Sequence, residues 1–560
     1  MAEITRRAFT QEKLVTLLEK TVGRAWIPVS LFNDIGNAEL GAIGSSTPVG
    51  MLFDPSTDEH IDTAWLVPKD YDVTKAASIY VYWSSADTNG TDCTWDIDYR
   101  ATAAGDDIGV AVTNMTGGVD TDSSTADDLN IGPAISLPAN TFGAVGEVLF
   151  MSLFRDVDAS DDLATDATFY GIRIDYETSP SISTTARAEV TPLGMDQGNV
   201  VKLLESQVGQ IWVPVSGLND IGNATLVATG SSTPVGLTFD ASTDEHADVT
   251  LKVPKDMDVG KAMNVYVYWS SVNTTAAKGV VWDADYTARA LAEDIGVTVT
   301  NVSAGADIDS TTADDLNISP AIIIPAATFA STAELLFLSI FRDAGESADN
   351  VTDVASLYGI RIDYTTTPSI SLTVPADITP IGMPQGDMVT LLSKSMGEIW
   401  YPIGSFSDIG AGTLAATGGV RAVGMTFDTS ADEAVEINLV LPKIVDITQA
   451  MTLTVYWSSA DTGAAETLQL DVDYIASAAA DDVGDTVSNV TAALDVNLAG
   501  VDVLQTAEVI TIPADALASN TEMLCVSLRR DVSADDLTSD ASVYGVLLNY
   551  SVTPSISATL

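Results

Sequence analysis

Carboxylates are the side chains with which this chain could do chemistry: 78 Asp and Glu stand against 24 Lys and Arg. Their densest regular placement follows three equivalent Arg-Asp pairs. Asp156, Asp158, Asp161 and Asp162 share one loop; Asp343, Glu346 and Asp349 share a second; Asp531, Asp535 and Asp536 share a third. Hard oxygen ligands gathered in one loop are what Ca2+ takes. None of the loops has the glycine at the sixth place or the closing Glu of an EF-hand. The competing reading is a solvated acidic loop in which Arg155 pairs with a nearby acid. No cofactor is required by the sequence, and Ca2+ is the ion these loops would accept.

Catalytic chemistry has little to draw on. His60 and His246 are equivalent, and Ala434 stands in the third position, so a triad or His-metal cluster would have one imidazole per copy at most. The motifs Phe53-Asp54-x-x-x-Asp58-Glu59, Phe239 to Glu245 and Phe427 to Glu433 are the most regular acid pairs. A glycosidase needs two such carboxylates, but acids at a turn more often cap it. Nucleophile-elbow, phosphate-loop, dinucleotide and paired-cysteine motifs are missing. Asn114-Met115-Thr116, Asn301-Val302-Ser303 and Asn489-Val490-Thr491 have the glycosylation pattern and read as polar loop residues. The expectation is a protein that is not an enzyme.

These motifs recur because the chain repeats a whole domain. Trp26-Ile27-Pro28-Val29, Trp212-Val213-Pro214-Val215 and Trp400-Tyr401-Pro402-Ile403 open three copies about 187 residues apart. Tyr-Trp-Ser-Ser (Tyr82, Tyr268, Tyr456), Asp-x-Asp-Tyr (Tyr99, Tyr286, Tyr474), Arg-Asp (Arg155, Arg342, Arg530) and Tyr-Gly (Tyr170, Tyr358, Tyr544) follow in the same order. The period is that of a domain, not a solenoid repeat. Domains are expected at 1–187, 188–375 and 376–560.

A formal charge of −54 excludes nucleic acid, which needs clustered cations, and disfavours anionic membranes. Cys93 and Cys525 fall at non-equivalent places, so no disulfide framework is expected. The start lacks an apolar stretch fit for a signal peptide, and no window suits a membrane span. Cytoplasmic synthesis without membrane insertion is expected.

The elements that must position these residues are strands. Trp95-Asp96-Ile97-Asp98-Tyr99 alternates with period two, which predicts one buried and one wet face. Eight or nine strands per copy, near 25–31, 38–43, 49–53, 62–67, 78–84, 93–99, 133–137, 147–154 and 168–177, predict an all-β protein. Its architecture would be three tandem antiparallel β-sandwiches of jelly-roll type. The longest loop is expected at 101–134. A short helix is expected before each sandwich (Leu14 to Leu18, Val200 to Leu204, Met388 to Leu392), stopped by Gly23, Gly209 and Gly397. Ile79 to Trp83 is apolar on both faces. Either the copy's own helix or loop covers it, or Tyr80 and Tyr266 face a neighbouring domain or subunit.

The order Phe-Asp-x-x-x-Asp-Glu, Tyr-Trp-Ser-Ser, Trp-Asp-x-Asp-Tyr, Arg-Asp and Tyr-Gly, over roughly 50–178, 236–366 and 424–552, resembles a jelly-roll domain of tailed-phage structural proteins of the fibre, spike or capsid-decoration type. The third copy departs from it with Leu470 where Trp95 and Trp282 stand. The resemblance implies a virion component such as a capsid turret, spike, head fibre or decoration protein. Expected partners are other copies of the chain, other virion proteins and a host-surface glycan. The alternative is a cell-surface or filament protein with glycan-binding sandwiches. Two assemblies are expected: a trimeric stack of layers, which the short linkers favour, or three repeats of one chain around a pseudo-threefold axis.

Overall fold

A computed structural model describes residues 22–34, 39–42, 49–179, 208–220, 225–228, 234–367, 396–408, 413–417 and 422–552, apart from positions 110, 124, 158–159, 276–277, 297–298, 311, 443, 462–465, 480, 482–487, 492–494, 498–499 and 515. The segments expected to be helical before each sandwich, and the linkers, lie outside the described residues.

The first copy contains twelve strands: β1 (Val22–Pro28), β2 (Asn33–Asp34), β3 (Glu39–Ala42), β4 (Val49–Phe53), β5 (His60–Leu66), β6 (Ala77–Ser85), β7 (Asp92–Thr102), β8 (Thr113–Thr121), β9 (Asn130–Ile131), β10 (Ile135–Leu137), β11 (Val148–Arg155) and β12 (Ala167–Glu177). Two sheets form from them, and every pairing is antiparallel. One runs β10-β6-β12-β4-β3, with β1 also on β12 and β9 on β6; the other runs β2-β5-β11-β7-β8. The other two copies repeat both sheets with the same order, giving three β-sandwich domains of jelly-roll type.

Period-two patterning builds each core. Ile79, Val81 and Trp83 of β6 and Ile172 and Ile174 of β12 meet Ile61 of β5, Ile97 and Tyr99 of β7, and Leu149, Met151 and Leu153 of β11. At about 25 cal/mol per Å2 of apolar surface, each large side chain buried there contributes on the order of 2 kcal/mol. Tyr170 sits in a bulge, where the β6–β12 register shifts between Phe169 and Gly171; an extra residue there lets one side chain leave the alternation.

Four sequence expectations change. Gly23, Gly209 and Gly397 do not end helices; they lie inside strands Val22–Pro28, Val208–Pro214 and Met396–Pro402. A Cβ at Gly23 would come within 2.3 Å of the Tyr176 ring, so the glycine makes room for an aromatic lid. The long loop at 101–134 holds β8 and β9; Thr, Asn and Gly in β8 hid a strand behind turn composition. Asp96 is buried despite its polar parity, because β8 crosses beside it and the Gly117 N–H donates to its carboxylate at 3.1 Å. Finally, of the two expected arrangements the short linkers favour the stack, whereas the contacts within one chain bring its three domains together. The 3-10 turns Val29–Leu31, Val215–Gly217 and Ile403–Ser405 pack on one another pairwise.

Candidate functional site

The repeated motifs converge on two structures: an internal brace in each domain and a seam between each pair of domains. The brace is built on the Arg-Asp motif. Arg155 ends β11 with its guanidinium fully buried. Its Nε donates to Asp161 Oδ2 at 2.8 Å and its Nη2 to Asp161 Oδ1 at 2.7 Å; its Nη1 reaches the carbonyls of Phe53 at 3.3 Å and Thr165 at 2.9 Å. Arg342 pairs with Asp349, and Arg530 with Asp535, in the same two-pronged way. A planar guanidinium fits a carboxylate in this fork, and further carbonyls occupy its remaining donors.

Three of the proposed Ca2+ ligands, Asp161, Asp349 and Asp535, therefore carry the acid side of these ion pairs. Asp162 Oδ1 accepts the Asp92 N–H at 2.6 Å. Asp343 and Asp531 cap their own turns through the Gly345 and Ser533 N–H groups. Asp156 follows β11, its N–H on the Thr94 carbonyl, and Asp158 lies outside the described residues. Among the described residues, no group of three or more His, Cys, Asp or Glu side chains converges as a metal site would. The Phe-Asp-x-x-x-Asp-Glu motif serves the same brace. Glu59 accepts the Asp54 N–H at 2.8 Å, and Asp58 accepts the Val157 N–H at 3.1 Å, tying the loop after β11 to the turn before β5. His60 lies against Phe154 with ring centroids 4.5 Å apart, and its Nδ1 is 3.2 Å from Ser152 Oγ.

Tyr-Trp-Ser-Ser divides its side chains between core and seam. The Trp83 indole donates to Asp120 at 2.6 Å, as Trp269 does to Asp307 and Trp457 to Asp495. Burial pushes each of these three carboxyls up to about 6. Ser84 bonds the Tyr170 hydroxyl at 2.8 Å, and Ser85 donates to Asp122 at 2.7 Å.

The seams place the outer face of one domain's five-stranded sheet against the outer face of the next domain's seven-stranded sheet. Ala64, Leu66, Val148 and Phe150 of the first domain pack on Tyr268, Tyr358 and Trp212 of the second. Phe337 of the second packs on Tyr544, Tyr456 and Trp400 of the third, and Cys525 and Val440 of the third on Tyr82, Tyr170 and Trp26 of the first. Both-sided apolar character in Ile79 to Trp83 thus has its cause in a neighbouring domain. Tyr80 itself lies under the Arg173 guanidinium, 4.2 Å away.

One contact recurs at every seam. The Trp212 indole donates to the Ala64 carbonyl at 2.9 Å, Trp400 to Thr250 at 2.8 Å, and Trp26 to Asn438 at 2.6 Å. Second grips the first, third grips the second, and first grips the third: the contacts close a ring. The indole has room because Gly171, Gly359 and Gly545 lie beneath it; a Cβ at Gly171 would meet the Trp26 ring at 2.5 Å, and its φ of +152° suits glycine. This explains the Tyr-Gly and Trp-x-Pro motifs together. Ser216 donates to the Leu31 carbonyl at 2.7 Å, joining two of the 3-10 turns.

The sequence reading missed Glu436 and Asn438, which stand at the third seam where the other copies have Asp62 with Ala64 and Asp248 with Thr250. Their signal was the third copy's departure from its mates.

No family model matches the chain, and no curated protein does. Solved structures are similar over long stretches. The tandem carbohydrate-binding modules CBM22-1 and CBM22-2 of Paenibacillus barcinonensis Xyn10C align at 10% identity over 60% of this chain and 93% of that one, with a TM-score of 0.20. The ectodomain of ANX2 from Arabidopsis thaliana aligns at 9% identity over 62% and 97%, TM-score 0.17. A triple jelly-roll protein from the turret assembly of an archaeal virus aligns at 7% identity over 93% and 95%, TM-score 0.16. Overlap at these scores carries no functional argument.

Proposed function

We propose that the chain is a non-enzymatic structural protein of a viral particle, of turret, spike, head-fibre or decoration type, built as a ready-made pseudo-trimer. The observation that carries this reading is the closed ring. The motifs kept in all three copies are spent on bracing each sandwich and seating it on its neighbour, which is what a rigid building block needs. The resemblance of motif order to phage structural jelly rolls supports the same reading. Particles purified from the source culture provide the test. Protein mass spectrometry and antibody-labelled electron microscopy should find the chain on their outer surface; finding it only on cell envelopes would overturn the proposal.

A second reading, glycan binding at a surface, is favoured by a cleft of about 460 Å3 between the first two domains. Trp26, Trp65 and Trp212 line it with Lys69, Asp70 and Gln210. An apolar cleft with a few polar groups is the usual form of a small-ligand site; here Lys69 Nζ also lies 3.7 Å from Asp363 across the seam, and Gln210 Nε2 lies 3.2 Å from the same carboxylate. Glycan-array binding that disappears on Lys69→Ala and Gln210→Ala would support this second reading.

A further inference from the structure

The third seam differs from the other two in its aromatic packing. At the first two, a phenylalanine meets a tyrosine edge to face: Phe150 on Tyr358 and Phe337 on Tyr544, both with ring centroids 5.3 Å apart. At the third, Cys525 takes the phenylalanine's place in the strand, and that aromatic pair is gone. The third seam, between the third and first domains, is also the one that the chain's own order does not tether.

In place of the aromatic pair stands a polar grip on backbone. Glu436 Oε2 accepts the Val49 N–H at 2.9 Å, and Asn438 Nδ2 donates to the Val49 carbonyl at 2.7 Å. Both groups of one residue are held as a strand partner would hold them. The same Asn438 gives its own carbonyl to Trp26. On the donor side the equivalent contact weakens around the ring. Thr250 reaches the Val423 carbonyl at only 3.5 Å, and Ala64 has no side-chain donor at all.

We propose that Glu436 and Asn438 form the latch that closes the ring, selecting the first domain's Val49 as the docking point of the third domain. The latch is a recognition site for a strand's leading backbone, and its partner is the chain's own amino-terminal sandwich. A carboxyl buried in such a place also makes closure respond to pH. Glu436 is buried, and burial pushes its carboxyl up to about 8; Asp473 raises it further, while the Val49 N–H and the Ser527 hydroxyl pull it down. Cys525 is a further titratable group beside it, and Val49 brings only backbone. The sign follows from linkage. The carboxyl is protonated in the closed seam up to about pH 8 and ionised in an opened one above its ordinary value near 4.5. Closure is therefore strongest in acid and weakens as pH rises, reaching its floor above about pH 8.

Hydrogen exchange of the Val49 amide in the full chain tests this, with the equivalent Val235 and Val423 amides as internal controls. After correction for intrinsic exchange, Val49 protection should fall by about tenfold per pH unit between pH 5 and 8, while the two controls fall less. Glu436→Gln keeps the acceptor and cannot ionise; it should abolish the slope and protect Val49 better than wild type at pH 8. Asn438→Ala should lower Val49 protection at every pH with the slope unchanged. An unchanged slope in Glu436→Gln would overturn the pH response. Unchanged Val49 protection in both variants would overturn the latch itself.

Discussion

Three carboxyls buried against tryptophan should make this protein gain stability in acid, against the usual trend. Asp120, Asp307 and Asp495 each accept an indole N–H, yet burial lifts each from 3.8 to about 6. A group raised in the folded state costs nothing below its unfolded value and its full penalty above its folded one. Stability from this source is thus complete below about pH 4 and is lost as pH climbs to about 6. At about 1.4 kcal/mol per unit, each copy loses on the order of 3 kcal/mol. For a domain of this size that corresponds to roughly 6–12 °C in Tm. Calorimetry from pH 4 to 7 at fixed ionic strength should show the melting temperature falling. Relief of repulsion among surface acids would push the same way, so the decisive sample is the triple variant Asp120→Asn, Asp307→Asn and Asp495→Asn. The amide oxygen keeps the indole bond and cannot ionise. The variant should melt higher than wild type at pH 7 and match it near pH 4. Parallel pH profiles for the two proteins would refute the reasoning.

Arg155→Met should strand Asp161 as an unpaired buried charge and cost about 3–5 kcal/mol, read as selective melting of the first domain; Asp161→Asn with Arg155→Met should recover part of it. Trp212→Phe keeps the packing over Gly359 but deletes the bond to the Ala64 carbonyl, and should cost roughly 1 kcal/mol in denaturant titration. Gly359→Ala should be far worse, since its Cβ would stand 2.6 Å from the Trp212 ring, and should loosen the seam in small-angle scattering. With Asp161, Asp349 and Asp535 held by arginine, melting in excess chelator should equal melting in millimolar Ca2+ at matched ionic strength; a Ca2+-specific rise of several degrees would refute this and support a metal site in these loops.

Much of each sandwich could be read from the residues, because period-two patterning reports directly on which face meets a core. Ile97, Tyr99, Ile172 and Ile174 are buried as their parity requires. Composition misled where a strand borrows turn residues: β8 reads Thr-Asn-Met-Thr-Gly-Gly, and its presence is what buries Asp96. Spacing misled at Gly23, where a glycine after an apolar run looks like a helix stop but clears the Tyr176 ring. The double-sided apolar strand at Ile79 to Trp83 did announce a covered outer face. It could not say by what, since a stacked neighbour and a ring neighbour make the same demand on Tyr82. The contact repeated at every seam joins a backbone carbonyl to an indole, and a carbonyl has no sequence signature. Glu436 and Asn438 were visible only as the third copy's departures from its mates.

A ring made from one polypeptide does not fall apart on dilution. A homotrimer of such sandwiches would depend on protomer concentration, whereas here the first two joins are covalent and the third is an intramolecular event at the high effective concentration that tethering provides. Fusion also frees the three outer faces from identity. Ile323 is exposed where Ser136 and Thr511 stand in the other domains, and Val354 where Asp166 and Asp540 stand. One polypeptide can therefore keep a repeated frame while carrying three different outer surfaces.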